Sequence, residues 1–285
     1  MQRRKFFSNS ILGTAGALFY PHISFAGKQW FPKKNIISIS YNVYQFKAYP
    51  EIDDTKFLLK DIRPQLPERM AMELELYKPN IITFQEAPEE RKVKEVADML
   101  GMNYVYFPGG YPGALLTKFK IQSSINCPLA SLKSPDDLFS RHWGKAILKS
   151  STEEIVLYSV HLHPSNDSIR KREIDEILKV MKYEISQNKN IIFQGDFNHE
   201  PIQDEYKRWK KSGLVDCFAK KGVEQEYTIK STFPNRRVDY IWINKIMEER
   251  LLRCKVLFEN DFRTNPLDER SVALSDHLPV MAEFS

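Results

Sequence analysis

Long apolar runs are absent from this 285-residue sequence. A membrane-crossing helix needs roughly 18–20 consecutive apolar residues, and the nearest approach, Ile11 to Tyr20, is short and only weakly apolar. Cysteine is scarce too. Cys127, Cys217 and Cys254 show no CxxC spacing, which argues against a zinc site and leaves room for one disulfide at most, in a pairing that spacing does not choose. No internal repeat, low-complexity tract or linker composition divides the chain. Surplus charge is also missing. The formal net charge is +5, of which Arg3, Arg4 and Lys5 supply three, so +2 remains beyond residue 26. That balance is not the electrostatic footprint of a nucleic-acid-binding surface.

The N-terminal stretch is read apart from the rest. Arg3-Arg4-Lys5-Phe6-Phe7 is a paired arginine followed by an apolar pair, and Ser24-Phe25-Ala26 is a small-x-small cleavage site. The pattern resembles a twin-arginine export signal over residues 1–26, with a mature start near Gly27 and a periplasmic or extracellular destination; the alternative reading is an ordinary Sec signal or a disordered tail. Residues 27–285 then form a single domain. A chain 42% hydrophobic and 28% charged is globular with a substantial core, and sixteen prolines, eleven glycines, eighteen phenylalanines and thirteen tyrosines favour many short strands and loops.

Hydrophobic periodicity supplies the elements. Strands are expected at 35–43, 81–84, 104–107, 114–118, 145–150, 155–161, 191–193, 237–244, 251–259 and 278–284, and helices at 68–78, 88–100, from a cap at Asn166 or Ser168 to about 186, and at 200–211. Residues 45–67 read as a long mixed loop. In the first helix Met70, Leu74 and Tyr77, with Met72 and Leu76 beside them, make the apolar face, and Pro79 closes it. The fold class expected is α/β: a four-layer sandwich of two mainly antiparallel sheets packed face to face, helices outside.

One stretch stands out, Ile191-Ile-Phe-Gln-Gly-Asp-Phe-Asn-His-Glu-Pro201. A buried strand runs into Gly195, which permits a close backbone approach or a tight exit. On an extended backbone Asp196 and Asn198 would project together. Elsewhere polar residues again sit where apolar strands end: Asn42, Glu86, His161, Asp239, and Asp276 with His277. Each alone has an ordinary reading, such as a helix N-terminal acid or a surface histidine. Their repetition at strand termini points to one constellation. Carboxylate and amide oxygens are hard ligands suited to Mg2+ or Mn2+. A histidine held by an aspartate is an acid/base pair. Metal-assisted attack of water on a phosphate ester follows as the expected chemistry.

The ordered set Asn42, Phe84-Gln-Glu-Ala87, Ser159-Val-His-Leu162, Gly195-Asp-Phe-Asn198, Arg237-Val-Asp-Tyr240 and Ser275-Asp-His-Leu-Pro-Val280 resembles the endonuclease/exonuclease/phosphatase superfamily, the metal-dependent, DNase I-like phosphohydrolases. Each motif is weak alone; six in order from residue 35 to the C-terminus are specific. The resemblance implies Glu86 as the direct metal ligand with Asn42 and Asp276 nearby, His277 as general acid/base oriented by Asp239, and Asp196 as the group that positions or deprotonates the attacking water. It implies Asn198 and His161 as donors to the phosphoryl oxygens. Arg141, Arg236 and Arg237 are the candidate contacts to substrate phosphate.

The substrate class stays open among nucleic acid, phospholipid and small phosphorylated molecules. Phe233-Pro-Asn-Arg-Arg-Val-Asp239 departs from the run an inositol 5-phosphatase carries there, and an export signal sits badly with DNA repair. A secreted nuclease would use Lys207, Arg208, Lys210 and Lys211. A sphingomyelinase-like enzyme would use Trp30-Phe31 or Phe107–Tyr111 at a membrane. A non-catalytic binding member would lack a ligand or base, and none is missing.

Overall fold

The computed structural model describes residues 35–53, 55–126, 138–265, 267–268 and 270–285. The leader, Trp30-Phe31 and Cys127 lie outside them. Thirteen strands among the described residues form two mixed sheets. The first sheet holds β1 (Ile36–Asn42), β2 (Ile81–Gln85), β3 (Asn103–Phe107), β4 (Gly113–Thr117), β10 (Gly222–Val223), β12 (Leu251–Val256) and β13 (Val280–Phe284), in the order β10-β12-β13-β1-β2-β4-β3. The second holds β5 (Lys120–Asn126), β6 (His142–Lys149), β7 (Glu154–His161), β8 (Asn190–Asp196), β9 (Val215–Asp216) and β11 (Asp239–Ile243), in the order β5-β6-β7-β8-β11-β9.

Each sheet contains a central parallel pair, β1 with β2 and β7 with β8. Parallel neighbours need a crossover. Helices α1 (Lys56–Ile62) and α2 (Leu66–Glu75) lie on the first, α4 (Asp167–Ser186) on the second. Helix α3 (Glu90–Met99) follows β2, and α5 (Asp204–Lys211), α6 (Cys217–Lys221) and α7 (Lys245–Arg250) are shorter. Parity along each strand sorts the residues. In the second sheet Ile155, Leu157, Ile192, Ile241 and Ile243 join the core shared with the first sheet, while Val156, Tyr158, Val160, Ile191, Phe193, Tyr240 and Trp242 pack with Ile174, Ile177, Met181 and Trp209 of α4 and α5. Two faces are therefore buried, one by the opposite sheet and one by helices, which is the four-layer arrangement.

Helix α4 begins where Asn166 caps it, accepting a 3.1 Å hydrogen bond from the Ile169 amide. The expected Gly195 close approach is present: its φ is 155°, and a Cβ there would stand 1.9 Å from the Val160 carbonyl oxygen of the neighbouring strand.

Several expectations change. The 45–67 loop contains α1 and the start of α2; only Leu59 of α1 is buried, so the segment carries little amphipathic signal. Met72 and Leu76 do not share the apolar face of α2; they are 64% and 63% exposed, since they lie about 200° around the helix from Met70 and Leu74. That helix stops at Glu75 because Pro79 denies Lys78 the helical conformation, and Lys78 takes φ 49°. Strand β5 was not expected at all. Its residues are exposed or half-buried along an edge, so no alternation marks it. Cys217 and Cys254 are buried free thiols. No described helix is long and apolar enough to cross a membrane.

Candidate active site

The inner face of the sandwich is apolar at one end and polar at the other, and the polar end is the site. Ser38, Ser40 and Asn42 on β1, Thr83 and Gln85 on β2, Ser159 and His161 on β7, Gln194 and Asp196 on β8 and Asp239 on β11 are all buried. Strand register places them in rows. Across the second sheet His142 pairs with His161, His161 with Asp196 and Asp196 with Asp239, a continuous line over four strands. Across the first, Asn42 pairs with Gln85, which leads directly into Glu86. Gln194 ties the sheets together: it accepts from Ser38 Oγ at 2.6 Å and donates to the Ile39 carbonyl at 2.8 Å and Thr83 Oγ1 at 2.9 Å. One turn of pleat further on, Asn42 Nδ2 donates to Asp196 Oδ2 at 3.0 Å. The two parallel pairs thus end against each other.

His277 comes from a loop and is fixed from several sides. Its Nδ1 is 2.8 Å from Asp239 Oδ2, its Nε2 faces Asp196 Oδ2 at 3.9 Å, and its backbone amide donates to Ser275 Oγ at 3.2 Å. Ser275 Oγ in turn donates to the Asn42 carbonyl at 2.7 Å. Burial alone would drive the His277 imidazole toward neutrality. The carboxylate of Asp239, in contact with it, then those of Asp196 and Asp276, win and lift its pKa to about 10. Asp196 is pushed up to about 7, by burial first and by the Asp239 charge second. His161 is held well below the usual histidine value by burial and by Arg141, so its ring is neutral. Arg141 Nη1 lies 2.9 Å from His161 Nε2, which is also 3.3 Å from Asp196 Oδ2. The same Arg141 nitrogen is 3.3 Å from Glu86 Oε1, and its guanidinium sits 4.1 Å above the Tyr111 ring.

Two site residues have left-handed backbones, Glu86 at φ 50° and Asn198 at φ 51°, a cost of about 1–3 kcal/mol each that clusters at working sites. The turn at Asn198 corrects the expected shared projection with Asp196. The strand ends at Asp196, the Asn198 amide folds back onto Asp196 Oδ1 at 3.0 Å, and its Nδ2 donates to the Leu162 carbonyl at 3.0 Å.

Of the three arginines, Arg141 stands in the site. Arg236 is half exposed and bound to Glu200 at 2.9 Å. Arg237 points elsewhere: it is 5% exposed, 2.9 Å from Asp216 and 3.2 Å from Glu226, and packs over Tyr240, so its charge is committed inside the fold. In the basic cluster of α5, Lys207 and Arg208 pair with Asp204 and Asp175 on a solvated face.

Glu86, Asn42 and Asp276 offer only oxygen donors suited to a hard cation. Among the described residues one further set could bind a metal: Asp196, Asp239 and His277 bring ligand atoms within 4.8 Å of one another, and Asp239 Oδ1 is buried without a hydrogen-bond partner. A surplus of carboxylate beside an unpaired buried oxygen fits a divalent cation at this end of the sandwich. The sequence assigned no site role to Tyr111, His142, Thr228 or Ser275. Thr228 Oγ1 accepts from the amides of Val238 and Asp239 at 3.2 and 3.3 Å, and His142 sits under His161 with Nε2 3.3 Å from Ser159 Oγ. Only Ser275 carried a signal, as the residue before Asp276-His277.

Two helix-covered mixed sheets with acids, amides and histidines gathered at one set of strand ends define a DNase I-like α/β sandwich. The chain belongs to the endonuclease/exonuclease/phosphatase family, whose model matches residues 39–277 and whose members are phosphoesterase hydrolases. Solved structures share the fold at low identity. A family protein from Bacteroides thetaiotaomicron is 18% identical, covering 88% of this chain and 97% of its own, at a TM-score of 0.68. A mannosyl-6-phosphatase from the same organism is 20% identical, covering 88% and 99%, at 0.69. D. rerio TDP2, solved with single-strand DNA product, is 18% identical, covering 88% and 99%, at 0.62. No curated protein matches the chain in sequence.

Proposed function

We propose that the chain is an exported, Mg2+-dependent phosphoesterase that activates water for attack on a phosphodiester or phosphomonoester. The observation that carries this reading is the line His161–Asp196–Asp239 across β7, β8 and β11, with His277 locked at 2.8 Å on Asp239 and Asn42 and Glu86 opposite. Asp196 holds both oxygens in fixed directions, one toward the Asn198 amide and one toward Asn42 Nδ2, and presents them to a water. His277 Nε2 and Asp196 Oδ2 are 3.9 Å apart, within reach of one water, so that Asp196 can take its proton while the charged His277 imidazole holds it in place. Arg141 and His161, with the second Nδ2 hydrogen of Asn198, are the donors that would meet the phosphoryl oxygens, where negative charge grows. A cation held by Glu86, with Asn42 and Asp276 beside it, would draw charge from those oxygens when bound; Mg2+ suits this set, with Mn2+ as a substitute.

The rim beyond the reacting phosphate supports an ester with an organic group. The segment Ile229–Arg236 is bridged to His277 and presents Phe233, 86% exposed, with Lys230 and Arg236. The test is turnover of bis-p-nitrophenyl phosphate and p-nitrophenyl phosphate with Mg2+ and with EDTA, followed by plasmid DNA, RNA and sphingomyelin. The expected result is cation-dependent release from at least one chromogenic ester; no release from either, with any divalent cation, overturns the reading. Export rests on the Arg3-Arg4 leader. N-terminal sequencing of the secreted product should begin near Gly27, and an intact Met1 refutes it.

A further inference from the structure

We propose that Glu173, on α4 and outside the catalytic cluster, is a positioning residue that sets Arg141 and His161 against the phosphoryl group; the role assigned to those two side chains rests on the phosphoesterase reading above. Glu173 is 1% exposed, on the helix stripe that otherwise buries Ile174, Ile177 and Met181. A carboxylate in such a stripe is unfavourable unless its oxygens are met. They are met by two backbone amides from separate loops: Phe139 N at 3.0 Å on Oε1 and His163 N at 2.9 Å on Oε2. Phe139 lies two residues before Arg141, and His163 two residues after His161. One carboxylate therefore fixes the spacing between the segments that carry the two phosphate-facing groups.

Two further contacts argue that this spacing is imposed. Phe139 has φ 56°, a left-handed conformation that a bulky side chain adopts only when its surroundings enforce it. One turn earlier on α4, Arg170 Nη1 donates to the carbonyls of His163 and Pro164 at 3.1 and 3.2 Å, and is itself held by Glu205. The loop leaving β7 is thus gripped through both its donors and its acceptors by Arg170 and Glu173. The inner ends of the same two loops converge where Arg141 Nη1 and His161 Nε2 stand 2.9 Å apart. A shift at Glu173 is transmitted to that contact through two residues of backbone on each side.

The experiment compares Glu173→Gln, which keeps one acceptor, and Glu173→Met, which keeps the length and no acceptor. Each is made on the wild-type background and on an Arg141→Ala/His161→Ala background. Inorganic phosphate affinity is measured calorimetrically with Mg2+ present, and deuterium uptake is followed in peptides covering 138–142 and 161–164. On the wild-type background Glu173→Met should weaken phosphate binding by about 10- to 100-fold, each lost charged acceptor being of that order. Glu173→Gln should fall between. Both peptides should exchange faster, and the affinity loss should vanish on the double-alanine background. Equal losses on both backgrounds reduce Glu173 to a structural role and overturn the inference, as does wild-type exchange in both peptides of Glu173→Met. A wild type that turns over neither chromogenic ester while the exchange and phosphate results hold sinks the phosphoesterase reading and leaves this one standing.

Discussion

At the scale of the residue, His277 and Asp239 are the most tightly specified pair. The Asp239 carboxylate is what overcomes burial and keeps the imidazole charged. Asp239→Asn preserves the shape but removes the charge that orients and raises the ring. We expect kcat for the hydrolysed ester to fall by about 10²–10⁴, the span for loss of a positioned acid or base, and His277→Ala or Asp196→Ala to fall comparably with the fold intact by circular dichroism. Wild-type kcat in any of the three would refute the assignment. Glu86→Ala is expected to act differently: loss of calorimetrically measured Mg2+ binding accompanies loss of turnover. Most of these residues were legible in the sequence because strand ends advertise them. An apolar run stopping at a carboxylate, amide or imidazole is visible without a structure. Arg237 was misjudged for the same reason that it attracted notice: it stands next to Val238-Asp239, and nothing in the sequence reveals that Asp216 and Glu226 hold it.

At the scale of the element, the informative feature is the polar spine down the inner faces of β1, β2 and β8. Gln194 was legible only as a strand residue, yet its side chain closes three hydrogen bonds between sheets. Gln194→Leu would leave the Ser38 hydroxyl buried without its partner and take one bond each from the Ile39 carbonyl and from Thr83 Oγ1, which still accepts from Gln85 Nε2 at 3.1 Å. At about 1–3 kcal/mol for one unsatisfied buried group, we expect a loss of about that size in urea titration. A reduced kcat should accompany it, because Asn42 and Asp196 meet one pleat away. Strand parity made the other buried faces readable: Ile, Val and Phe alternate with the polar set along β7, β8 and β11. Edge strand β5 and helix α1 were not readable, since both bury too little apolar surface for any period to emerge. Glu173 falls between these cases. Helical spacing puts it among Ile174 and Ile177, but only the fold brings the Phe139 and His163 amides to it.

At the scale of the whole molecule, buried imidazoles govern the acid limb of stability. Burial lowers His142 to about 4 and His199 to about 3, so both remain neutral in the folded protein where an unfolded chain takes up protons below pH ~6.5. The unfolded state then binds more protons, and stability falls as pH drops from ~6.5 toward 4, by about 1.4 kcal/mol per pH unit for each histidine. Asp196, pushed up to about 7, works in the opposite sense and blunts the total. The contribution of a single ring is isolated with His199→Gln, which keeps an acceptor for Trp209 Nε1, now 3.0 Å from His199 Nε2. The variant should show an acid limb shallower by about 1.4 kcal/mol per pH unit between pH 6 and 4; an unchanged slope would contradict the neutral, buried ring.

Strand β1 lies between β2 and β13, so the element bearing Asn42 pairs on one side with the last strand of the domain. Asp239, Asp276 and His277 all come from the closing portion of the chain, while Glu86, His161 and Asp196 come earlier. During synthesis His277 emerges after every other group of the site, so its contact with Asp239 cannot form until the chain has been made to that point. The 2.8 Å contact between Asp239 and His277 is therefore one of the last parts of the candidate site to form.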